Sequence, residues 1–116
     1  MKNNDCIFCK ITDGLIPSTK VYENDKVLAF KDLQPNAKIH YLFIHKHHTP
    51  NVNQLAAEQS YQLAELFQAI KEVTEKEGLD QSGFRVVTNQ GPHAGQTVFH
   101  THFHVLGGEQ LRGFGR

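Results

Sequence analysis

Three histidines alternate with strand-forming residues in the stretch Val98-Phe99-His100-Thr101-His102-Phe103-His104-Val105-Leu106. Side chains on a β-strand point to opposite faces with period two. A strand over residues 98–106 therefore sets His100, His102 and His104 on one face. Thr101, Phe103 and Val105 then line the other, where they can join a core. Val, Phe and Thr favour strands, whereas a helix would scatter the imidazoles around its cylinder. The stretch thus demands a sheet with one packed face and one face of imidazoles. A solvated polar face is the alternative. Three imidazoles beside an apolar face nevertheless call for a use, because near neutral pH histidine serves as nucleophile, proton carrier or metal ligand.

The rest of the chain supplies such a sheet. Residues 20–23 and 26–32 read as strands joined at the turn pair Asn24-Asp25, a hairpin. Residues 39–46 read as a third strand, with His40, Leu42 and Ile44 on one face and Tyr41, Phe43 and His45 on the other. Pro50 ends that unit. From about residue 57 to residue 77, Leu63, Leu66, Phe67, Ile70 and Val73 recur at helical spacing, and Gly78 is a natural stop. Ala56 is a poor N-cap, so the start of this helix is not marked. Residues 83–89 read as a fourth strand. The loop after it is short enough that this strand should pair with the histidine strand, which Gly107-Gly108 ends. Strands in runs around one helix predict an α+β fold: an antiparallel sheet of about five strands with one long helix packed on it. The 116 residues suit a single domain spanning 1–116, without repeat or linker. Residues 109–116, including Phe114, show no periodicity.

Twelve lysines and arginines balance twelve aspartates and glutamates. This argues against a nucleic-acid partner held by a basic surface but allows a small anion held locally. No apolar run approaches the roughly 20 residues that span a bilayer, and the first residues lack the apolar stretch of a signal peptide. A cytoplasmic protein without a membrane partner is expected. In that reducing compartment Cys6 and Cys9 suggest a metal or redox site rather than a disulfide. The redox alternative is weaker, because the pair opens the chain instead of following a strand in a βαβ unit. The two-residue spacing suits zinc but needs two more ligands. His45, His47 and His48 after the third strand, and the histidine row, can provide them. Otherwise the thiols are buried packing residues.

The loop before the histidine row carries Gly91, Gly95, Gln96 and Thr97. Glycines let backbone N–H groups approach an anion, and Thr97 adds a hydroxyl, so a phosphate oxygen suits the pocket. His102, between two like residues, is the candidate nucleophile. Attack on phosphorus would make a covalent intermediate and split one hard displacement into two easier ones. The attacking nitrogen must be unprotonated while the other donates to an acceptor. His104 could donate to a phosphoryl oxygen.

His100-Thr101-His102-Phe103-His104-Val105-Leu106 has the form His-x-His-x-His followed by two apolar residues, and so resembles the signature of the histidine triad (HIT) family of nucleotide hydrolases and transferases. Ile7-Phe8-Cys9-Lys10-Ile11, Ile16-Pro17 and Ala29-Phe30-Lys31-Asp32-Leu33-Gln34-Pro35 resemble its N-terminal segment and nucleoside pocket. Leu106-Gly107-Gly108 is similar to the Hint branch in particular. The resemblance implies a homodimer with a sheet continuous across two subunits. It implies hydrolysis of purine nucleoside phosphoramidates, such as an adenylate joined to an amine. His102 would take the nucleotidyl group, flanked by His100 and His104 and backed by His40. Asp32 would bind the ribose, Phe8, Ile11, Ile16, Phe30 and Leu33 would form the base wall, and Asn89 with Gly95, Gln96 and Thr97 would lie near the phosphate. Related members hold a structural zinc, and the matching positions are Cys6, Cys9, His48 and His100. His45 and His47 depart from the usual pattern beside the third ligand. Dinucleoside polyphosphate hydrolysis, nucleotidyl transfer and non-enzymatic nucleotide or zinc binding are the alternatives within this family.

Overall fold

The computed structural model describes residues 5–113; Met1 to Asn4 and Phe114 to Arg116 lie outside the described residues. Five antiparallel strands form one sheet: β1 (Lys20–Glu23), β2 (Val27–Lys31), β3 (Ile39–His45), β4 (Phe84–Val87) and β5 (His102–Gly107), in the order β1-β2-β3-β5-β4. The α+β expectation holds. The hairpin forms where Asn24 predicts it. The Asn24 side-chain oxygen accepts from the N–H groups of Lys26 and Val27 at 2.7 and 2.8 Å, the local bond that makes asparagine a turn residue.

Alternation along β3 and β5 divides the core in two. Tyr41, Phe43, Phe103 and Val105 face the helices α2 (Val52–Gln59) and α3 (Tyr61–Lys76) and pack with Leu55, Leu66, Ala69, Ile70 and Val73. Leu42 and Ile44, with Leu28 and Phe30 of β2, face the other way. They pack with Cys6, Phe8, Cys9 and Ile11 of the short α1 (Ile7–Thr12). The sheet is thus covered on both faces, by long helices on one side and by the cysteine-bearing turn on the other.

Three differences from the expected elements have local causes. The single helix expected over 57–77 is two helices that meet at Ser60. The first starts earlier, where the Asn51 side chain caps the N–H of Gln54 at 2.9 Å. An Asn followed three residues later by a Gln is a capping signal, and Asn51 with Gln54 fits it better than Ala56 does. A further turn, α4 (Leu79–Ser82), precedes β4. The histidine strand begins at His102, not Val98. The Thr101 N–H donates to the Thr49 carbonyl at 2.7 Å, and the two threonine hydroxyls meet at 2.7 Å. Residues 98–101 are therefore tied to the chain after β3 rather than to the ladder.

Candidate active site and metal centre

The register of β3 on β5 pairs Ile44 with His102 and Leu42 with His104. Both imidazoles therefore lie on the α1 side of the sheet. Phe8 packs edge-on against His102 at a 5.1 Å centroid distance and lies 6.0 Å from the ring of His100. All three histidines share that side, although His100 precedes the strand.

The hydrogen bonds fix the tautomers. The carbonyl oxygen of His100 can only accept, so His102 donates to it from Nδ1 at 2.7 Å. Neutral His102 then keeps its lone pair on Nε2. Asn36 donates its N–H to His40 Nδ1 at 3.0 Å, which puts the His40 proton on Nε2. That nitrogen donates to His104 Nδ1 at 2.8 Å, with Asp32 Oδ2 3.4 Å away. His104 in turn carries its proton on Nε2. Side by side, then, stand a lone pair on His102 and an N–H on His104, with ring centroids 5.1 Å apart. Burial drives all three rings away from the charged form. The pKa of His102 and of His40 is lowered mainly by desolvation, opposed in His102 by the bond to the His100 carbonyl and then by the Asp32 carboxylate, and in His40 by Asp32. That of His104 falls to about 4 through desolvation and then the adjoining His102 and His40.

Two cavities meet at this point. One, of about 390 Å³, has Phe8, Ile11, Ile16, Phe30, Leu33 and Leu42 among its apolar lining and Asp32, Thr97, His102 and His104 among its polar groups. Its size and mixed lining are those of a small-molecule site. The other, of about 760 Å³, is lined by His40, Asn89, Glu109 and Arg112 among others, and shares Asn36 and His104 with the first. The predicted site residues are therefore divided. Asn89 faces the second cavity. Leu33, 91% exposed, stands at a rim rather than within a wall. Gly95 and Gln96 line neither cavity.

The loop over residues 91–96 uses its N–H groups on itself. Gly91 N–H donates to Gln96 Oε1 at 2.9 Å, Gly95 N–H to the Pro92 carbonyl at 3.1 Å and Gln96 N–H to the Gly91 carbonyl at 3.1 Å. The Gln96 amide also donates to the carbonyls of Pro50 and Val98. These N–H groups shape the loop instead of facing an anion.

Behind His102 lies a second cluster. His100, with no exposed surface, donates from Nε2 to the His45 carbonyl at 2.8 Å. Its Nδ1 lone pair faces three other ligand atoms: Cys6 Sγ at 3.3 Å, Cys9 Sγ at 3.6 Å and His48 Nδ1 at 3.2 Å. Cys9 Sγ and His48 Nδ1 are 3.4 Å apart. A tetrahedral zinc with ordinary bond lengths has N···N edges of about 3.3 Å and S···N edges of about 3.6 Å, so these four residues fit one ion. Burial lowers the pKa of His100 to about 4, which keeps that lone pair free. Of His45, His47 and His48 at the end of β3, His48 is the one whose ring joins this cluster. His45 has both nitrogens engaged elsewhere, with Glu65 Oε1 and the His47 N–H. Asp32, His40 and His104 also converge within 4.8 Å, but there the proton on His40 Nε2 already occupies the position a metal would need.

The HIT domain family matches residues 13–111. The chain belongs to the histidine triad family. It is 39% identical over 107 residues to the purine nucleoside phosphoramidase of Escherichia coli K12, covering 92% of this chain and 90% of that protein. It is 45% identical over 109 residues to a 14 kDa zinc-binding protein of Brassica juncea, covering 92% and 96%. Among solved structures, a histidine triad protein from Clostridium difficile superposes with a TM-score of 0.94 at 43% identity, covering 98% of this chain and 99% of that one. A HIT family hydrolase from Clostridium thermocellum gives 0.93 at 39% identity, covering 99% and 100%. The histidine triad protein described here thus shares its fold along nearly its whole length with these relatives.

Proposed function

We propose that this histidine triad protein hydrolyses the P–N bond of purine nucleoside 5'-phosphoramidates through a nucleotidyl intermediate on His102. The observation that carries the reading is the bond from His102 Nδ1 to the His100 carbonyl, which leaves Nε2 as the nucleophilic nitrogen of a ring that lines the smaller cavity beside His104, a residue both cavities share. The phosphoramidase relative supports the substrate class.

The purine lies in the smaller cavity against Phe8, Ile11, Ile16, Phe30 and Leu33, with Asp32 on the ribose. The leaving amine extends into the larger cavity, beside Asn89. Attack of His102 Nε2 on phosphorus breaks the P–N bond, and the amine leaves with a proton drawn from solvent. The positive charge on the nucleotidyl-imidazole is eased by the His100 carbonyl. His104, donating from Nε2, and the Thr97 hydroxyl stabilise the charge on the phosphoryl oxygens by hydrogen bonding, the chief requirement of such a transition state. Water then cleaves the P–N bond to His102, releasing the nucleoside monophosphate and a proton. His40 maintains the His104 tautomer. Gly95 and Gln96 serve by shaping the loop that presents Thr97.

Cys6, Cys9, His48 and His100 hold one structural zinc, and the zinc-binding relative supports this. When bound, the ion cross-links the α1 turn, the chain after β3 and the residue preceding β5. The protein acts as a homodimer in the cytoplasm, with neither nucleic acid nor membrane as partner. One feature supports the homodimer. The edge strand β4 carries the part-exposed Phe84 beside Phe67 of α3. No helix among the described residues is long and apolar enough to cross a membrane.

The test is turnover of an adenylate–amine conjugate, compared with diadenosine polyphosphates. Release of AMP from the conjugate, with rapid-quench trapping of an adenylylated protein, is expected. Binding of AMP without turnover would replace the enzyme with a nucleotide-binding protein. Faster cleavage of the polyphosphate would change the substrate class.

A further inference from the structure

One buried histidine takes no part in the reaction above. His45, at the end of β3, is 5% exposed and points to the helix side of the sheet. Its Nε2 donates to Glu65 Oε1 of α3 at 2.9 Å, and its Nδ1 accepts the N–H of His47 at 3.1 Å. Both ring nitrogens are satisfied, so the ring is held as one neutral tautomer by a helix on one side and by the following turn on the other. Burial lowers its pKa, opposed by Glu65.

The consequences fall on the other face of the sheet. The backbone carbonyl of this same residue accepts from His100 Nε2 at 2.8 Å. That bond reserves His100 Nδ1 for Cys6, Cys9 and His48. The turn closed by the His47–His45 bond also delivers His48, three residues after His45, to Cys9 Sγ at 3.4 Å. A ligating histidine whose other N–H is held by a carbonyl has its ring orientation set by that carbonyl, and loss of such support weakens metal binding.

We propose that His45 and Glu65 are positioning residues of the Cys6–Cys9–His48–His100 metal centre, acting through the main-chain carbonyl of His45 and the turn over residues 45–48. The proposal rests on the zinc reading given above. Glu65 acts across the thickness of the sheet: carboxylate to imidazole, then carbonyl to ligand. Neither residue touches the ion.

The decisive measurement is zinc affinity of the whole protein, by competition with a chromogenic chelator, alongside the melting temperature of the metal-free protein. Glu65→Ala removes the acceptor and should weaken zinc binding about 10–100-fold. Glu65→Gln keeps an oxygen acceptor and should restore affinity to within a few-fold of the parent. Tyr41→Phe is the control. Tyr41 also ties β3 to α3, through its hydroxyl on Glu77 at 2.7 and 2.9 Å, but it is remote from the turn. It should lower the metal-free melting temperature without changing zinc affinity. If Glu65→Ala does not fold, His45→Leu replaces it, removing the buried polar ring altogether, with the same weakening expected. Parental zinc affinity in the folded variant, or equal weakening by Tyr41→Phe, overturns the proposal while leaving the zinc site in place. Failure of the parent protein itself to take up zinc, with Cys6→Ser indistinguishable from it, overturns the zinc reading and this proposal together.

Discussion

His100 and His102 are coupled through a single carbonyl: His102 donates from Nδ1 to the main-chain oxygen of His100 at 2.7 Å, while the His100 ring turns its own Nδ1 to Cys6 at 3.3 Å. One residue therefore belongs to two clusters, its side chain to the thiols and its backbone to the proposed nucleophile. The two imidazoles are neighbours on one face yet are held as opposite tautomers. His100 directs its Nδ1 lone pair at the cysteines, and His102 leaves its Nε2 lone pair for a substrate. The alternation read in the sequence becomes a division of labour through these hydrogen bonds.

That division predicts an asymmetric response to substitution. His102→Ala should lower kcat by three orders of magnitude or more, as loss of a nucleophile does, while AMP still binds. His102→Ala should also abolish the adenylylated species in a rapid-quench mass measurement. Turnover that survives this change would remove the covalent mechanism.

His40 controls which nitrogen of His104 bears a proton. In His40→Phe the His104 Nδ1 loses its donor at 2.8 Å, and the ring is free to carry its proton on Nδ1 and present a lone pair to the phosphoryl oxygens. The expected result is a fall in kcat of about a hundredfold, at the lower end of acid–base effects, with KM little changed. Asp32→Asn should do the reverse and act chiefly on KM, because Asp32 lines the smaller cavity. A His40 variant that changed only KM would contradict the relay.

The pH dependence follows from desolvation. An imidazole whose folded-state pKa is depressed stays neutral to lower pH than the ordinary value of 6.5. His102, His40 and His104 are all depressed, the last to about 4. Activity requires His102 Nε2 unprotonated, so the acid limb of kcat/KM should be centred below 6.5. Linkage gives the stability a matching sign. Between 6.5 and about 4 the unfolded chain binds the His104 proton and the folded protein does not, so this histidine favours unfolding progressively as pH falls through that window. Below about 4 its effect no longer grows. An acid limb centred at or above 6.5 would show that these rings are better solvated than their packing implies.

Much of this arrangement is written in local patterns. The alternation of His102 with His104, the turn at Asn24 and the helical spacing of Leu66, Ile70 and Val73 each depend on residues a few positions apart, and each forms as expected, whereas His100 keeps to their side of the sheet without joining the strand. Cys-x-x-Cys likewise announces a ligand pair. What the sequence conceals depends on distant partners. The start of β5 is set by Thr101 bonding to Thr49, 52 residues away. The choice of His48 over His45 depends on Glu65, which engages His45 from a helix on the far side of the sheet. Gln96 looks like a ligand-contacting residue beside Thr97, but its amide is taken up by Gly91, Pro50 and Val98. Asn51 is the exception: its capping bond to Gln54 is local, and it starts the helix five residues before the poor cap Ala56.

Removal of the metal should act first on stability and only then on chemistry. The four proposed ligands, from three separate segments, converge within 4.8 Å, and an ion that binds the folded state alone stabilises it by about 4 kcal/mol at a thousandfold excess over its Kd. In a domain of this size that corresponds to roughly 15 °C in Tm. Stripping zinc with a strong chelator, or Cys6→Ser, should lower Tm by an amount of this order, and zinc should restore the chelated protein but not the variant. Metal analysis should find one zinc per chain. Because the His100 carbonyl accepts from His102, the metal-free protein should also lose kcat at temperatures where it remains folded. A fall in Tm with kcat intact would confine the metal to holding the α1 turn, and would mean that the Thr49–Thr101 bonds suffice to hold the His100 carbonyl in place.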